Sequence, residues 1–187
     1  TDNVVIAANG SVTQTNGTVA ATNVGLSATN GNIGQNGADI LVDADNLAAN
    51  AANGDVFVVD NDDVTIIDSV TATDALDSVT GNTADDDYRV QAAGDLTVNA
   101  PLNGITSNND VALVSTGGDV NLTEGAVTAT DNVVIDANGS VTQTNGTVAA
   151  TNVGLSATNG NIGQNGADIL VDADNLAANA ANGDVFV

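Results

Sequence analysis

The chain has almost no positive charge and few of the side chains that carry out chemistry. It contains no Lys, His, Cys, Met or Trp, a single Arg (Arg89), and 24 acidic residues, for a formal net charge of -23. The absence of Cys excludes disulfides and thiolate metal sites. The scarcity of cations argues against nucleic acid or an anionic membrane surface as a partner. Without His, Lys or Cys, and with few aromatics to stack on a sugar, we expect no enzyme activity.

Large and long apolar features are also missing. Aromatic residues make up 2% of the chain, and no run approaches the roughly 18 apolar residues that span a bilayer as a helix. We therefore expect no membrane insertion. Apolar residues nevertheless make up 42% of the chain, and most of them are small or β-branched. Because such residues pack well on a pleated surface, the composition favours a thin core between strands over acidic disorder.

A long repeat organises the sequence. Residues 1–58 recur as residues 130–187 with one difference, in that Ala7 becomes Asp136. The chain therefore holds one full 129-residue repeat, 1–129, and the start of the next, 130–187, which we interpret as a window on a longer repetitive protein. We expect 1–187 to form one continuous unit. Because an unpaired buried carboxylate is costly, the exchange predicts that this position faces solvent.

A shorter period runs inside the long one. Its marker is Gly, then Asp, Ser or Asn, then an aliphatic residue, beginning at Gly10, Gly31, Gly54, Gly94, Gly118 and Gly139. The intervals are 21, 23, 40, 24 and 21 residues, so that six turns of about 21.5 residues fill one repeat if the interval of 40 holds two turns. The fourth turn, roughly 62–87, lacks the marker and is expected to carry a longer corner loop.

Short alternating segments separated by Asn-Gly corners fill each turn, because Asn and Gly tolerate left-handed backbone angles. This layout predicts an all-β fold, a single-stranded right-handed parallel β-helix with essentially no α-helix. With about 4.8 Å between stacked strands, six turns would advance roughly 29 Å. Asn9, Asn30 and Asn53 lie about one turn apart. Their side chains either form an amide ladder along the column or cap their own turns and face water.

The motifs resemble those of the filamentous-haemagglutinin-type large exoproteins and adhesins of bacteria, a family of β-helix repeats. The resemblance rests on residues 9–15 (NGSVTQT), 31–34 (GNIG) and 94–100 (GDLTVNA). It implies a right-handed parallel β-helix, export to the cell surface, and a shaft or adhesive role. No catalytic residues come with it.

Acidic corners are the candidate sites. Ca²⁺ takes six to eight oxygen ligands, which clustered carboxylates and loop carbonyls can supply, although no EF-hand or nonapeptide spacing is present. The alternative is solvated charge that keeps filaments dispersed. The possible Ca²⁺ ligands are Asp43, Asp45, Asp60, Asp62, Asp63, Asp85, Asp86 and Asp87. Arg89 follows the last of these clusters and is expected to form a surface ion pair worth little by itself.

These observations predict a structural repeat module of a giant bacterial cell-surface or extracellular fibre. It would act by mechanical extension and by lateral self-association, with divalent cations screening or bridging the acidic coats. The alternative is an adhesin shaft or binding module that recognises a glycan or protein on another surface. A distinct non-repetitive head in the full gene would favour the adhesin, and uniform repeats would favour the shaft.

Overall fold

The computed structural model describes residues 2–72 and 77–187, and shows an all-β solenoid of about eight turns. No α-helix occurs among these residues, as the sequence predicted. Eighteen of the twenty strands belong to one sheet that winds around a continuous core, and every pairing in that sheet between named strands is parallel. None of the described segments is a helix long and apolar enough to cross a membrane.

The strands are short and follow one another around the column. The first ten are β1 (Asn3–Ala8), β2 (Val19–Ala20), β3 (Asn23–Ala28), β4 (Ile40–Asp43), β5 (Asn46–Ala51), β6 (Val56–Asp60), β7 (Val64–Ile67), β8 (Ser69–Thr71), β9 (Ser78–Thr80) and β10 (Asn82–Ala84). The others are β11 (Tyr88–Ala92), β12 (Leu96–Asn99), β13 (Ile105–Ser107), β14 (Asp110–Ser115), β15 (Val120–Glu124), β16 (Val127–Ala129), β17 (Asn132–Ala137), β18 (Val141–Gln143), β19 (Val148–Ala157) and β20 (Val171–Ala180). Pro101 lies just beyond β12, near a strand end as predicted.

Each turn has two halves, and each half stacks on the same half of the next turn. The first half begins with the six-residue strands β1, β3 and β5, and continues upward as pairs of short strands, β7 with β10, β12 with β13, and β15 with β16. The second half begins with short segments around Val12, β2, Ile33 and β4, and continues as β6, β11, β14 and β17. The half that carries one long strand per turn and the half that carries two short strands per turn therefore exchange places along the column.

The repeat does not hold a whole number of turns, which corrects the expected six. Along the first half, β1 is followed by β3, β5, β7, β12 and β15, which is five turns, and β17 comes half a turn later. One repeat therefore holds about five and a half turns and advances about 26 Å at 4.8 Å per turn. The consequence is that β1 and β17, which share their sequence apart from Ala7 and Asp136, lie on opposite halves of the column.

An antiparallel hairpin, β8–β9, interrupts the fourth turn where the sequence predicted a longer corner loop. The hairpin leaves the column between β7 and β10 and packs on the outer face of β1, β3 and β5. Val70 and Val79 of the hairpin and Ala48 of β5 form a small second core outside the column.

The main core is a continuous stack of aliphatic side chains inside the column. In β3 and β5 the inward residues Val24, Leu26, Leu47 and Ala49 are all fully buried, and Tyr88 is the largest buried side chain. Because each inward side chain contacts its equivalents above and below, neither face of a turn is complete until a neighbouring turn stacks on it.

Candidate functional site: the corner ladders and the outer faces

The residue after each marker Gly accepts a hydrogen bond from the backbone of the turn above. Asp95 and Asp119, and also Asp63 at the same phase of the turn that lacks the marker Gly, each place one carboxylate oxygen 2.7 Å from the backbone N of the equivalent residue in the next turn. The same track continues upward through Ser140 and Asn161. A second track in the other half begins at Ser11, whose hydroxyl accepts the N–H of Asn32. The marker is therefore a ladder of side-chain acceptors parallel to the column axis.

The ladder also explains why the marker begins with Gly. A Cβ atom built on Gly118 would lie 2.0 Å from Oδ1 of Asp95, and one on Gly160 would lie 2.1 Å from Oγ of Ser140. Each acceptor side chain therefore fills the space in which the next marker residue would carry its Cβ. Gly10, in the first turn of the 187 residues, has no neighbouring atom within 4 Å.

Asn side chains form amide ladders at two corners, which decides between the two alternatives that the sequence left open. Asn30 donates to the side-chain oxygen of Asn9 over 2.8 Å, although Asn53 makes its shorter bond to a backbone carbonyl. The sequence analysis missed a more regular ladder, in which Asn23 donates to Asn3 and Asn46 donates to Asn23. These three Asn residues occupy the same position in three successive turns, and that repetition was the signal that could have identified the ladder.

The first two acidic corners, residues 43–45 and 60–63, stack on each other and meet at Asp60. Asp43 at the end of β4 and Asp45 just after it are exposed, and Asp62 is exposed after β6. Asp60 is fully buried, and its carboxylate accepts the N–H groups of Ala44 and Asp62, each at 3.0 Å. This carboxylate is therefore used to join the two corners.

The position of Asp60 changes its acid–base behaviour. Burial raises the pKa of its carboxyl to about 7, since the charged form loses its hydration. The hydrogen bonds donated by the N–H groups of Asp62 and Ala44 oppose that rise, whereas the neighbouring Asp62 carboxyl adds to it. Asp60 therefore changes charge near neutral pH.

The third acidic corner, residues 85–87, lies elsewhere on the column, above Gly54 and Asp55. Asp85 accepts the side-chain amide of Asn108 at 3.0 Å, and Asp87 accepts that of Asn109 at 2.8 Å. Partial burial raises the pKa of Asp87, an effect that the bond from Asn109 opposes. Asp86 is exposed.

The predicted Ca²⁺ ligands are thus divided between two regions of the column, Asp43 to Asp63 in one and Asp85 to Asp87 in the other. Within residues 2–72 and 77–187, no group of three or more acidic side chains is placed so that it could hold a metal ion. Several of the carboxylates already accept hydrogen bonds from their own chain, including both oxygens of Asp60. Calcium binding remains a prediction from composition.

The single cation is less exposed than the sequence indicated. Arg89 reaches back to Asp39, with 2.6 Å between Nη2 and Oδ2, and the two side chains are 29% and 15% exposed. The guanidinium carbon also lies 5.8 Å from the ring centre of Phe57, within cation–π range. The ion pair joins residues fifty positions apart, and it is partly buried where a surface pair was expected.

The outer faces of the long strands are the remaining surface of interest. In the first copy, the hairpin covers the middle of this face, and Gly25 lies beneath Val70 and Val79. In the second copy, the same residue types are uncovered, and Val134 is 46% exposed. Asp136, in an adjacent outward position, is exposed, which confirms that the position of the exchange faces solvent.

Comparison with known protein families, curated proteins and solved structures finds no match to this chain. The resemblance to filamentous-haemagglutinin-type exoproteins therefore remains a prediction that rests on short motifs. The structure establishes the solenoid fold and its repeat geometry.

Proposed function

We propose that the chain is a structural repeat module of a long fibre at a bacterial cell surface or outside the cell, with self-association as its main interaction. The observation that carries the proposal is the continuity of the column. One parallel sheet runs from β1 to β20, and the aliphatic core runs with it without a break. Because the stability of such a column is close to a sum of terms between adjacent turns, its length is limited by chain length and end caps.

The corner ladders support a mechanical role. Backbone bonds, Asn amides and marker acceptors all join one turn to the next, so that they lie along the direction in which a fibre is pulled. The half-turn offset adds a second feature, since equivalent surfaces of successive repeats point to opposite sides. A fibre of such repeats would offer the same acidic surface to neighbours on both sides, which suits lateral association into bundles.

Scattering from chains of different length tests the proposal. Chains with one and a half, two and a half and three and a half repeats should form rods of constant cross-section, whose length grows by about 26 Å per repeat. A radius of gyration that grows as for compact globules would refute the fibre. Imaging of the native assembly would show whether the rods are single or bundled.

Divalent cations are proposed as the agents that screen or bridge the acidic coats. With a net charge of -23, neighbouring columns repel one another unless counterions intervene. Micrographs with and without a chelator test this part, because bundles that persist unchanged without Ca²⁺ would exclude bridging. An activity screen on acidic polysaccharides tests the expectation that the chain is not an enzyme.

A further inference from the structure

The two copies of the repeat present the same outward face, and a hairpin covers one of them. The face is a shallow groove made by the middle outward residue of three successive long strands. In the first copy these residues are Val5, Gly25 and Ala48, and in the second copy they are Val134, Gly154 and Ala177.

Contacts in the first copy show how the groove holds its hairpin. Val70 and Val79 are only 3% and 2% exposed, and they lie on Ala48, which is fully buried. A Cβ atom on Gly25 would lie 3.1 Å from Cβ of Val70 and 3.2 Å from Cγ2 of Val79. Because the second strand carries no side chain at this point, the hairpin lies closer to it than an added Cβ would allow without a small shift.

Two amides fix the backbone of the hairpin at its edges. Asn3 donates to the carbonyl of Thr71 over 2.7 Å, and Asn50 donates to the carbonyl of Thr80 over 2.9 Å. The groove therefore recognises both the apolar side chains of a β-hairpin and its outer carbonyl groups.

The second copy of the groove has the same residue types and is uncovered in the 187-residue chain. Around Gly154 the nearest atoms to a Cβ are 4.0 Å away, and Val134 is 46% exposed. Asn179, the equivalent of Asn50, is exposed beside the groove. The one change of sequence, Asp136 for Ala7, adds a carboxylate at its edge.

We propose that the groove of Val134, Gly154 and Ala177 is the docking site for a second β-hairpin with the sequence of Ser69–Thr80, supplied by the continuation of the same repeat along the fibre. The inference rests on the proposed fibre. In the first copy the hairpin emerges from the fourth turn and folds back over the first three. A hairpin at the same phase of the second repeat would fold back over β17, β19 and β20. Each repeat would then be held together across four turns by its own hairpin, and the hairpins of successive repeats would lie on opposite sides of the column.

Single-cysteine labelling tests the proposal cleanly, because the chain has no Cys of its own. In the 187-residue chain, V5C should react slowly with a maleimide and V134C quickly. A chain extended after Val187 by a second copy of residues 59–129 should protect V134C, with labelling at least tenfold slower. In the extended chain, replacing the two valines of the added hairpin by Asp should restore fast labelling. A cyclised peptide spanning Asp68–Gly81, added to the 187-residue chain, gives a second measurement of the same protection.

The outcomes separate the inference from the proposed function. V134C that stays reactive both in the extended chain and with the peptide would overturn the docking site, even if scattering from the same samples shows a lengthened rod. Protection in chains that do not lengthen as rods would support the docking site and refute the fibre. Protection of V134C in the 187-residue chain that grows with protein concentration would overturn the assignment to the same chain, since another molecule would then supply the hairpin. G154V gives a further check: it should block docking on the second copy without disturbing the column, because the space above Gly154 is open.

Discussion

Replacing Gly139 by Ala is expected to weaken the column at one defined rung. A Cβ atom at this position would lie 2.1 Å from Oδ1 of Asp119, the oxygen that accepts the N–H of Ser140 at 2.7 Å. The carboxylate must therefore move away, and the hydrogen bond is lost. Because a hydrogen bond to a charged acceptor contributes about 1.5–3 kcal/mol, we expect G139A to lower local stability by about 2 kcal/mol.

The measurement has to be local, since a repeat column need not unfold in one step. Native-state hydrogen exchange at the Ser140 amide is suitable, and a loss of about 2 kcal/mol corresponds to roughly thirtyfold faster exchange. G10A is the matched control, because Gly10 occupies the same phase of the repeat and has nothing within 4 Å. G154A is a second control on the outer face, at a position with turns both below and above it, where the nearest atoms lie 4.0 Å from the added Cβ. Both controls should change stability by no more than about 0.5 kcal/mol.

A double-mutant cycle decides whether the steric conflict with Asp119 is the cause. In D119A the obstructing oxygen is gone, so the additional cost of G139A should fall by at least about 1 kcal/mol, with the remainder due to the backbone of Gly118 at 3.0 Å. If G139A costs the same with and without Asp119, or no more than G154A does, the explanation of the glycine marker is wrong.

Three further predictions concern single side chains. The raised pKa of Asp60 means that the folded state binds its proton more tightly than the unfolded state does. The contribution of this residue to stability is therefore present below pH 4 and is lost as pH rises towards 7. An NMR titration of its carboxyl with a midpoint near 4 would contradict this, and D60N should remove that part of the pH dependence. Trypsin can cut only after Arg89. D39A should speed this cut about fivefold, the equivalent of about 1 kcal/mol of lost pairing with Arg89. An unchanged rate would show that the ion pair does not restrain β11. N152A removes two hydrogen bonds of its amide ladder, and N175A removes one. Urea denaturation should therefore show N152A to be the more destabilised by about 1 kcal/mol. Equal losses would mean that the ladder bonds contribute nothing measurable.

The fold class could be predicted because its signals are local and repeated. Alternating Val, Ile and Ala residues, Asn-Gly corners and a marker every 21 to 24 residues leave few alternatives to a stack of short parallel strands. The interruption of the fourth turn was also visible as a lost marker. Its form, a hairpin lying back on β1, β3 and β5, was not visible, because it depends on which outer surface is shallow enough to receive Val70 and Val79.

The candidate sites were less accessible to prediction. The Asp-rich segments are conspicuous in the sequence, yet the structure separates Asp60 from Asp87 and uses their oxygens to accept N–H groups of neighbouring corners. The pairing of Arg89 with Asp39 spans fifty residues and more than one turn, so that no local pattern indicates it. Sequence spacing shows which carboxylates are near one another along the chain, and stacking decides which of them meet in space.

The amino-acid sequence alone determined the strands, the corners and the repeat, because strand formation and turn geometry depend on a few neighbouring residues. The tertiary structure decided where each copy lies. Turns of unequal length accumulate to about five and a half per repeat, which places β1 and β17 on opposite halves although their sequences differ at one residue. The tertiary structure also decided that the hairpin folds back over the groove at Gly25, since contacts between distant turns define the surroundings of each residue.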